Sequence, residues 1–198
     1  MPSLEVIDST ATEIACLFTE TMAVLETIRN FFVPASIAEP ETIVPAARTE
    51  YRVRPLTIEH LPEVLRLNIR CFRNGDNYTK HTFSFLLNEP RTLGYRMVTP
   101  TDEIVGFAFV MVKDNNAAHL TTIGVAPEHR RRKIAQDLME HIERALRERD
   151  IATIMLEVRV SNTIAQDLYR RSGYTIVQRI GKYYNNGEDC FLMMKSLC

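Results

Sequence analysis

Between a strand-like stretch and a strongly amphipathic one, the chain carries Glu128-His129-Arg130-Arg131-Arg132-Lys133-Ile134-Ala135. Four successive cations stand where a helix begins. There they oppose the positive end of the helix macrodipole, at roughly 0.3–1 kcal/mol each. Exposed amides at a helix start, joined by guanidinium groups, form a setting for phosphate. A solvated basic patch without a ligand is the plainer alternative, and the position at the helix start weighs against it. A second chemical residue, Glu157, lies within the apolar run 152–160. Ile154, Leu156, Val158 and Val160 alternate onto one face, which turns Glu157 the other way with Met155 and Arg159. A carboxylate in mid-strand is costly unless it is exposed, paired or used. Glu157 therefore reads either as a proton acceptor or as a structural partner of Arg159.

These residues need elements to position them. Residues 51–54 read as a short strand, and Thr57 caps a helix running to about residue 70. A loop over 71–78 leads to a second helix ending near Asn88. Strands follow at 94–98, 104–112 and 118–125, with Pro100-Thr101-Asp102 and Lys113-Asp114-Asn115-Asn116 as the turns of a meander. The helix after the basic run buries Ile134, Ala135, Leu138, Met139, Ile142 and Leu146 on one stripe, with Glu140, Glu143, Arg144 and Arg147 opposite. A strand at 152–160 and a helix at 162–171, closed by Gly173, come next. Strands at 174–183 and 190–195 are joined through the hairpin signal Asn185-Asn186-Gly187. The order β-α-α-β-β-β-α-β-α-β-β predicts a mixed α/β (α+β) domain over residues 50–198, with helices on both faces of its sheet.

Residues 1–49 differ in character. Ser9 or Thr10 caps an expected helix to about residue 33, with Ile14, Leu17, Phe18, Thr21, Leu25, Ile28 and Phe32 along one side. Pro34, Pro40 and Pro45 then break regular structure. The apolar side must be covered, either by the main domain or by a second copy or an auxiliary subunit.

Composition narrows the class. The chain has 198 residues, 45% of them hydrophobic and 25% charged, with a net charge of −1, so bulk attraction to nucleic acid or anionic membrane is not indicated. Cys16, Cys71, Cys190 and Cys198 are scattered, with no metal-ligand spacing, and reduced thiols in a cytoplasmic protein are expected. No apolar stretch approaches the roughly 20 residues of a bilayer span, and no secretion signal is read.

Three stretches, taken in order, resemble the GNAT N-acetyltransferases. Ile123-Gly124-Val125-Ala126-Pro127-Glu128-His129 with the run 130–135 is similar to their acetyl-CoA motif, Gln/Arg-x-x-Gly-x-Gly/Ala. Leu156-Glu157-Val158-Arg159-Val160-Ser161-Asn162, followed by Ala165, Leu168-Tyr169 and Gly173-Tyr174, is similar to their second motif. Lys182-Tyr183-Tyr184-Asn185-Asn186-Gly187-Glu188-Asp189 resembles the tail of the RimI-type and the archaeal and eukaryotic protein N-terminal acetyltransferases. One residue departs from the pattern: Lys133 occupies the motif's first glycine position.

The resemblance implies a central, mostly antiparallel twisted sheet of about seven strands with one parallel splayed pair. It implies acetyl-CoA held by Ile123, Gly124 and Val125 along the pantetheine arm. Arg130, Arg131, Arg132, Lys133, Ile134 and Ala135 would hold its phosphates. Asn162 caps its helix and has a pantetheine contact as a second reading. Glu157 is the implied general base and Tyr169 the acid that protonates the departing thiolate, with core packing as the ordinary alternative for the tyrosine. His119 is read as structural, with support of that base as its alternative. Asp76, Tyr78, Tyr183 and Tyr184 would wall the acceptor slot, although turn chemistry and packing explain Asp76 and Tyr78 about as well. The expected activity is acetyl transfer to a protein or peptide α-amino group, with no metal. Acetylation of a small amine or lysine, or a non-catalytic CoA-binding scaffold, are the competing readings.

Overall fold

A computed structural model of the chain describes residues 32–33, 43–72 and 77–198. Its elements in chain order are β1 (Phe32–Val33), β2 (Arg52–Pro55), α1 (Leu61–Cys71), β3 (Asn77–Tyr78), α2 (Lys80–Asn88), β4 (Thr92–Val98), β5 (Ile104–Val112) and β6 (Ala117–Val125). There follow α3 (Ile134–Arg147), β7 (Thr153–Arg159), α4 (Thr163–Arg171), β8 (Thr175–Ile180) and β9 (Cys190–Ser196). One sheet has the order β2-β4-β5-β6-β7-β9-β8. All its neighbours run antiparallel except β6 and β7, which are parallel.

The core follows from β5, whose unbroken apolar run suits a strand covered on both sides. Val105, Phe107, Phe109 and Met111 pack with Leu61, Val64 and Leu67 of α1 and with Phe83 and Leu86 of α2. Ala108 and Val110 pack the other way, with Met139, Ile142 and Leu146 of α3 and Ile154, Leu156 and Val158 of β7. The expected sheet with helices on both faces is therefore what forms. The meander turns close through Asp102 and Asn116 at φ 64° and 54°, residue types that enter this region more readily than most. Gly173 ends α4 at φ 90°.

Two boundaries differ from expectation. Phe32 and Val33 are not the end of a helix: they form β1, antiparallel to Tyr78 and Asn77. Val33 precedes Pro34, which disfavours helical backbone, and Phe and Val suit a strand. The remainder of the expected N-terminal helix lies outside the described residues. The final hairpin is also wider than Asn185-Asn186-Gly187 suggests. β8 stops at Ile180 because Asp189 accepts the Lys182 amide at 2.8 Å and the Arg179 guanidinium at 2.8 Å. The tight turn at 184–187, where the Gly187 amide donates to the Tyr184 carbonyl at 2.8 Å, is only the tip of a longer loop. Among the described residues, no helix is long and apolar enough to cross a membrane.

Candidate active site

The parallel partners β6 and β7 pair only at Ala117↔Thr153, Ala118↔Ile154 and His119↔Met155. Beyond that point each strand keeps only its outer neighbour, β6 through Val125 on β5 and β7 through Arg159 on β9. The sheet thus opens into a wedge along Ile123, Gly124 and Val125. A bulge contributes: Thr122 faces Phe109 and Leu120 faces Val110, which leaves Thr121 as the extra residue. The Tyr78 phenol donates to the Thr121 carbonyl at 3.0 Å. Gly124 is set by packing, since a Cβ there would stand 2.7 Å from the Phe107 ring.

Glu157 stands on β7 two residues past the last parallel pair, on the same face as Met155. Its carboxylate is 7% exposed and lies 2.7 Å from Nε2 of His119, itself 4% exposed. The His119 Nδ1 has the Thr121 hydroxyl at 3.4 Å. The second carboxylate oxygen, Oε1, is buried and has no hydrogen-bond partner among the described residues. Such an atom is costly to leave unmatched inside a protein. Arg159 is not the partner of Glu157. It binds Glu188 at 2.6 Å and lies 3.7 Å over the Tyr184 ring.

Three further groups register the Glu157 charge. Burial, and after it the nearby Glu157 carboxylate, push the Tyr169 phenol well above its ordinary range. The same two causes raise Tyr183, where Tyr184, Tyr78 and Cys190 add to them. Burial and Glu157 also raise the Cys190 thiol to about 12. Tyr169 and Tyr183 therefore both stay protonated at neutral pH beside an acidic group. The Tyr183 and Tyr184 rings meet edge to face at 5.0 Å. Their loop is anchored by Glu188, which accepts from the Ser161 amide at 2.9 Å as well as from Arg159. Hydrogen bonding from Ser161 first, opposed by burial and reinforced by Arg159, holds the Glu188 carboxyl below its usual value. Asn162 caps α4, accepting the Ala165 amide at 3.1 Å.

At the other end of the wedge, the basic run forms a turn between β6 and α3. Lys133 precedes α3 at φ 64°, and Arg131 has φ 63°. The motif's glycine position thus has the left-handed backbone that glycine favours, here adopted by a lysine at a cost of roughly 1–2 kcal/mol. The four cations face different ways. Arg130 donates to the carbonyls of Val125 at 3.2 Å and Cys71 at 3.3 Å. Arg132 donates to the carbonyls of Ala46 and of Ala47, the latter at 2.6 Å. Arg131 and Lys133 are exposed, Ile134 is buried and Ala135 half-buried. The amides that open α3 have no partner within the helix itself.

Of the residues expected in the site, Glu157, Tyr169, Tyr183 and Tyr78 come together around the wedge, and the turn 130–135 stands at its far end. Asp76 lies outside the described residues. His119 is the member that sequence reasoning set aside. Its signal was present: on paired parallel strands it falls two positions from Glu157 on one face, but only the register makes that visible.

A model of the acetyltransferase (GNAT) family matches residues 61–174, which span α1 to α4 with the turn between β6 and α3. The chain belongs to the GNAT acetyltransferase family. The crystal structure of the ribosomal-protein-S18-alanine N-acetyltransferase from Escherichia coli superimposes with a TM-score of 0.69 at 27% identity, covering 75% of this chain and 94% of that one. An N-alpha-acetyltransferase of Sulfurisphaera tokodaii is 26% identical over 75% of this chain and 94% of its own length. The catalytic subunit of the N-terminal acetyltransferase B complex of Arabidopsis thaliana is 34% identical over 50% of this chain and 59% of its own. As a GNAT enzyme the chain is an N-acetyltransferase, and the splayed parallel pair and seven-stranded sheet are the fold that the motifs imply.

Proposed function

We propose that the chain transfers an acetyl group from acetyl-CoA to the α-amino group at the N-terminus of a protein or peptide. The observation that carries this reading is the buried Glu157 carboxylate, held through one oxygen by His119 and left with its other oxygen unmatched beside the wedge. That oxygen suits an ammonium or amine nitrogen, which brings the hydrogen-bond donor it lacks. The three relatives, each named for N-terminal, N-alpha or ribosomal-protein alanine acetylation, support the same acceptor.

The residues present fit the acetyl donor. Beyond His119 the inner edge of β6 has no strand pairing, so backbone groups at Ile123, Gly124 and Val125 suit the amides of a pantetheine arm. The opening amides of α3 and the exposed side chains of Arg131 and Lys133 suit its phosphates. When bound, acetyl-CoA supplies an activated acyl carbon and a thiolate leaving group. Glu157 accepts the proton lost by the attacking amine, with His119 orienting its carboxylate. Amides near Ile123 and Gly124 stabilise the oxyanion. Tyr169, held protonated, returns a proton to the departing sulfur. Tyr78, Tyr183 and Tyr184 wall the acceptor side.

Energetics suit this acceptor. Freeing a neutral amine at pH 7 costs about 1–1.4 kcal/mol for an α-amine, against more than about 4 kcal/mol for a lysine, and a single carboxylate base is adequate for the former. We read the enzyme as cytoplasmic, with Cys71, Cys190 and Cys198 as thiols, and its N-terminal segment as the region that meets a second copy or an auxiliary subunit. The test compares transfer of labelled acetyl to a peptide with a free N-terminus and to one whose N-terminus is blocked and whose only amine is a lysine. Labelling of the first alone is expected; preferential labelling of the second overturns the acceptor assignment.

A further inference from the structure

The turn between β6 and α3 holds Arg131 and Lys133 in left-handed backbone, and residues 125–135 contain no glycine that would adopt it freely. Something outside the turn must offset that preference. Segment 46–51, which lies before the first strand of the large sheet, grips the turn at several points. The Ala46 amide donates to the Glu128 carbonyl at 3.0 Å. Arg132 reaches back to the Ala46 and Ala47 carbonyls and donates to the Tyr51 hydroxyl at 2.7 Å. The Tyr51 hydroxyl is in turn 2.9 Å from Nδ1 of the buried His129, which it meets edge to face at 5.8 Å. From the opposite side, Arg70 of α1 binds both oxygens of Glu128 at 2.7 Å.

We propose that segment 46–51 is a working part of the cofactor-phosphate site: a strap that holds the turn in the conformation glycine adopts unaided, with Arg132 as its fastener rather than as a phosphate ligand. This rests on the reading of the turn as the acetyl-CoA phosphate site. Both terminal nitrogens of Arg132 donate to the strap, which turns this guanidinium toward segment 46–51 and leaves backbone amides, Arg131 and Lys133 as the anion contacts. Tyr51 and Arg132 are positioning residues, since they act on the donor through the turn.

The test is a double-mutant cycle on the full chain with two readouts. The first is calorimetric titration with CoA. Tyr51→Phe, which removes the hydroxyl between Arg132 and His129, is expected to weaken CoA binding about fivefold, as a net hydrogen bond is worth. In a Lys133→Gly background, where the turn needs less support, the same substitution is expected to cost less than twofold. The second readout needs no ligand: trypsin should cut after residues 130–132 faster in Tyr51→Phe than in the native chain, and Lys133→Gly should reverse that gain. Ala46→Pro, which deletes the Ala46 amide from an exposed segment, should repeat both patterns. Equal losses of CoA affinity in the two backgrounds, or unchanged cleavage in Tyr51→Phe and Ala46→Pro, would overturn the strap. Failure of the native chain to bind CoA would instead remove the acetyl-CoA reading, and cleavage alone would then decide the strap.

Discussion

Nε2 of His119, in the last parallel pair of β6 with β7, and a carboxylate oxygen of Glu157, two residues past that pair on β7, meet at 2.7 Å. The contact spans the apex of the wedge and fixes one carboxylate oxygen, leaving the other buried and without a hydrogen-bond partner among the described residues. If Glu157 is the base, Glu157→Gln retains the shape and loses the proton acceptor. It should lower kcat at least about a hundredfold, with the KM for acetyl-CoA changed less than twofold. Steady-state kinetics with a peptide acceptor measure both, and an unchanged kcat removes Glu157 from the mechanism.

His119→Ala should act on stability as well as on rate, because it strands both oxygens of a buried carboxylate. A loss of about 1–3 kcal/mol in urea unfolding is expected. His119→Gln keeps a donor and should recover most of that stability. Equal destabilisation in the two variants would mean that ring packing, rather than the hydrogen bond, is what His119 supplies.

Tyr169 titrates in a direction that matters at alkaline pH. Burial and the Glu157 charge favour its protonated form. The folded phenol therefore keeps its proton above pH 10, where an unfolded tyrosine loses it, and folding stability from this group is lost only as pH rises past that value. Native kcat should show no decline due to Tyr169 between pH 8 and 10, while Tyr169→Phe should be about tenfold or more slower throughout. An alkaline limb near pH 9 that disappears in the Phe variant would contradict this.

Glu188 titrates the other way. Its folded pKa lies below the usual value, so its contribution is present above the unfolded carboxylate pKa and is lost as pH falls through the folded one. The loop bearing Tyr183 and Tyr184 should remain anchored from neutral pH down to the carboxylate range. Glu188→Gln should raise the KM for peptide several-fold and leave the KM for acetyl-CoA unchanged. A matched rise in both constants would place the damage in the whole fold.

Lys133→Gly relieves a left-handed backbone that lysine adopts at a cost. A gain of about 0.5–1 kcal/mol in urea unfolding is expected, and a loss would show that the lysine side chain makes a compensating contact.

Much of this was legible beforehand because period and punctuation agree. The apolar run of β5, the stripe of α3 and the alternation through Ile154, Leu156 and Val158 each predict the face they bury. The position of Glu157 opposite that face also follows from alternation. Its partner does not: spacing within one strand suggests Arg159, whereas cross-strand register delivers His119. The four cations looked alike in sequence, and only the fold separates Arg130 and Arg132, turned onto backbone carbonyls, from Arg131 and Lys133. β1 was hidden because it exists only through pairing with residues more than forty positions away.

The parallel contact between β6 and β7 consists of three residue pairs at one end. By backbone pairing the sheet is two panels, β2-β4-β5-β6 and β7-β9-β8, joined only along that short seam. Amide hydrogen exchange in the empty enzyme should then report separate opening of each panel. A molecule lodged in the wedge would act as an added rung, so that both panels slow their exchange together.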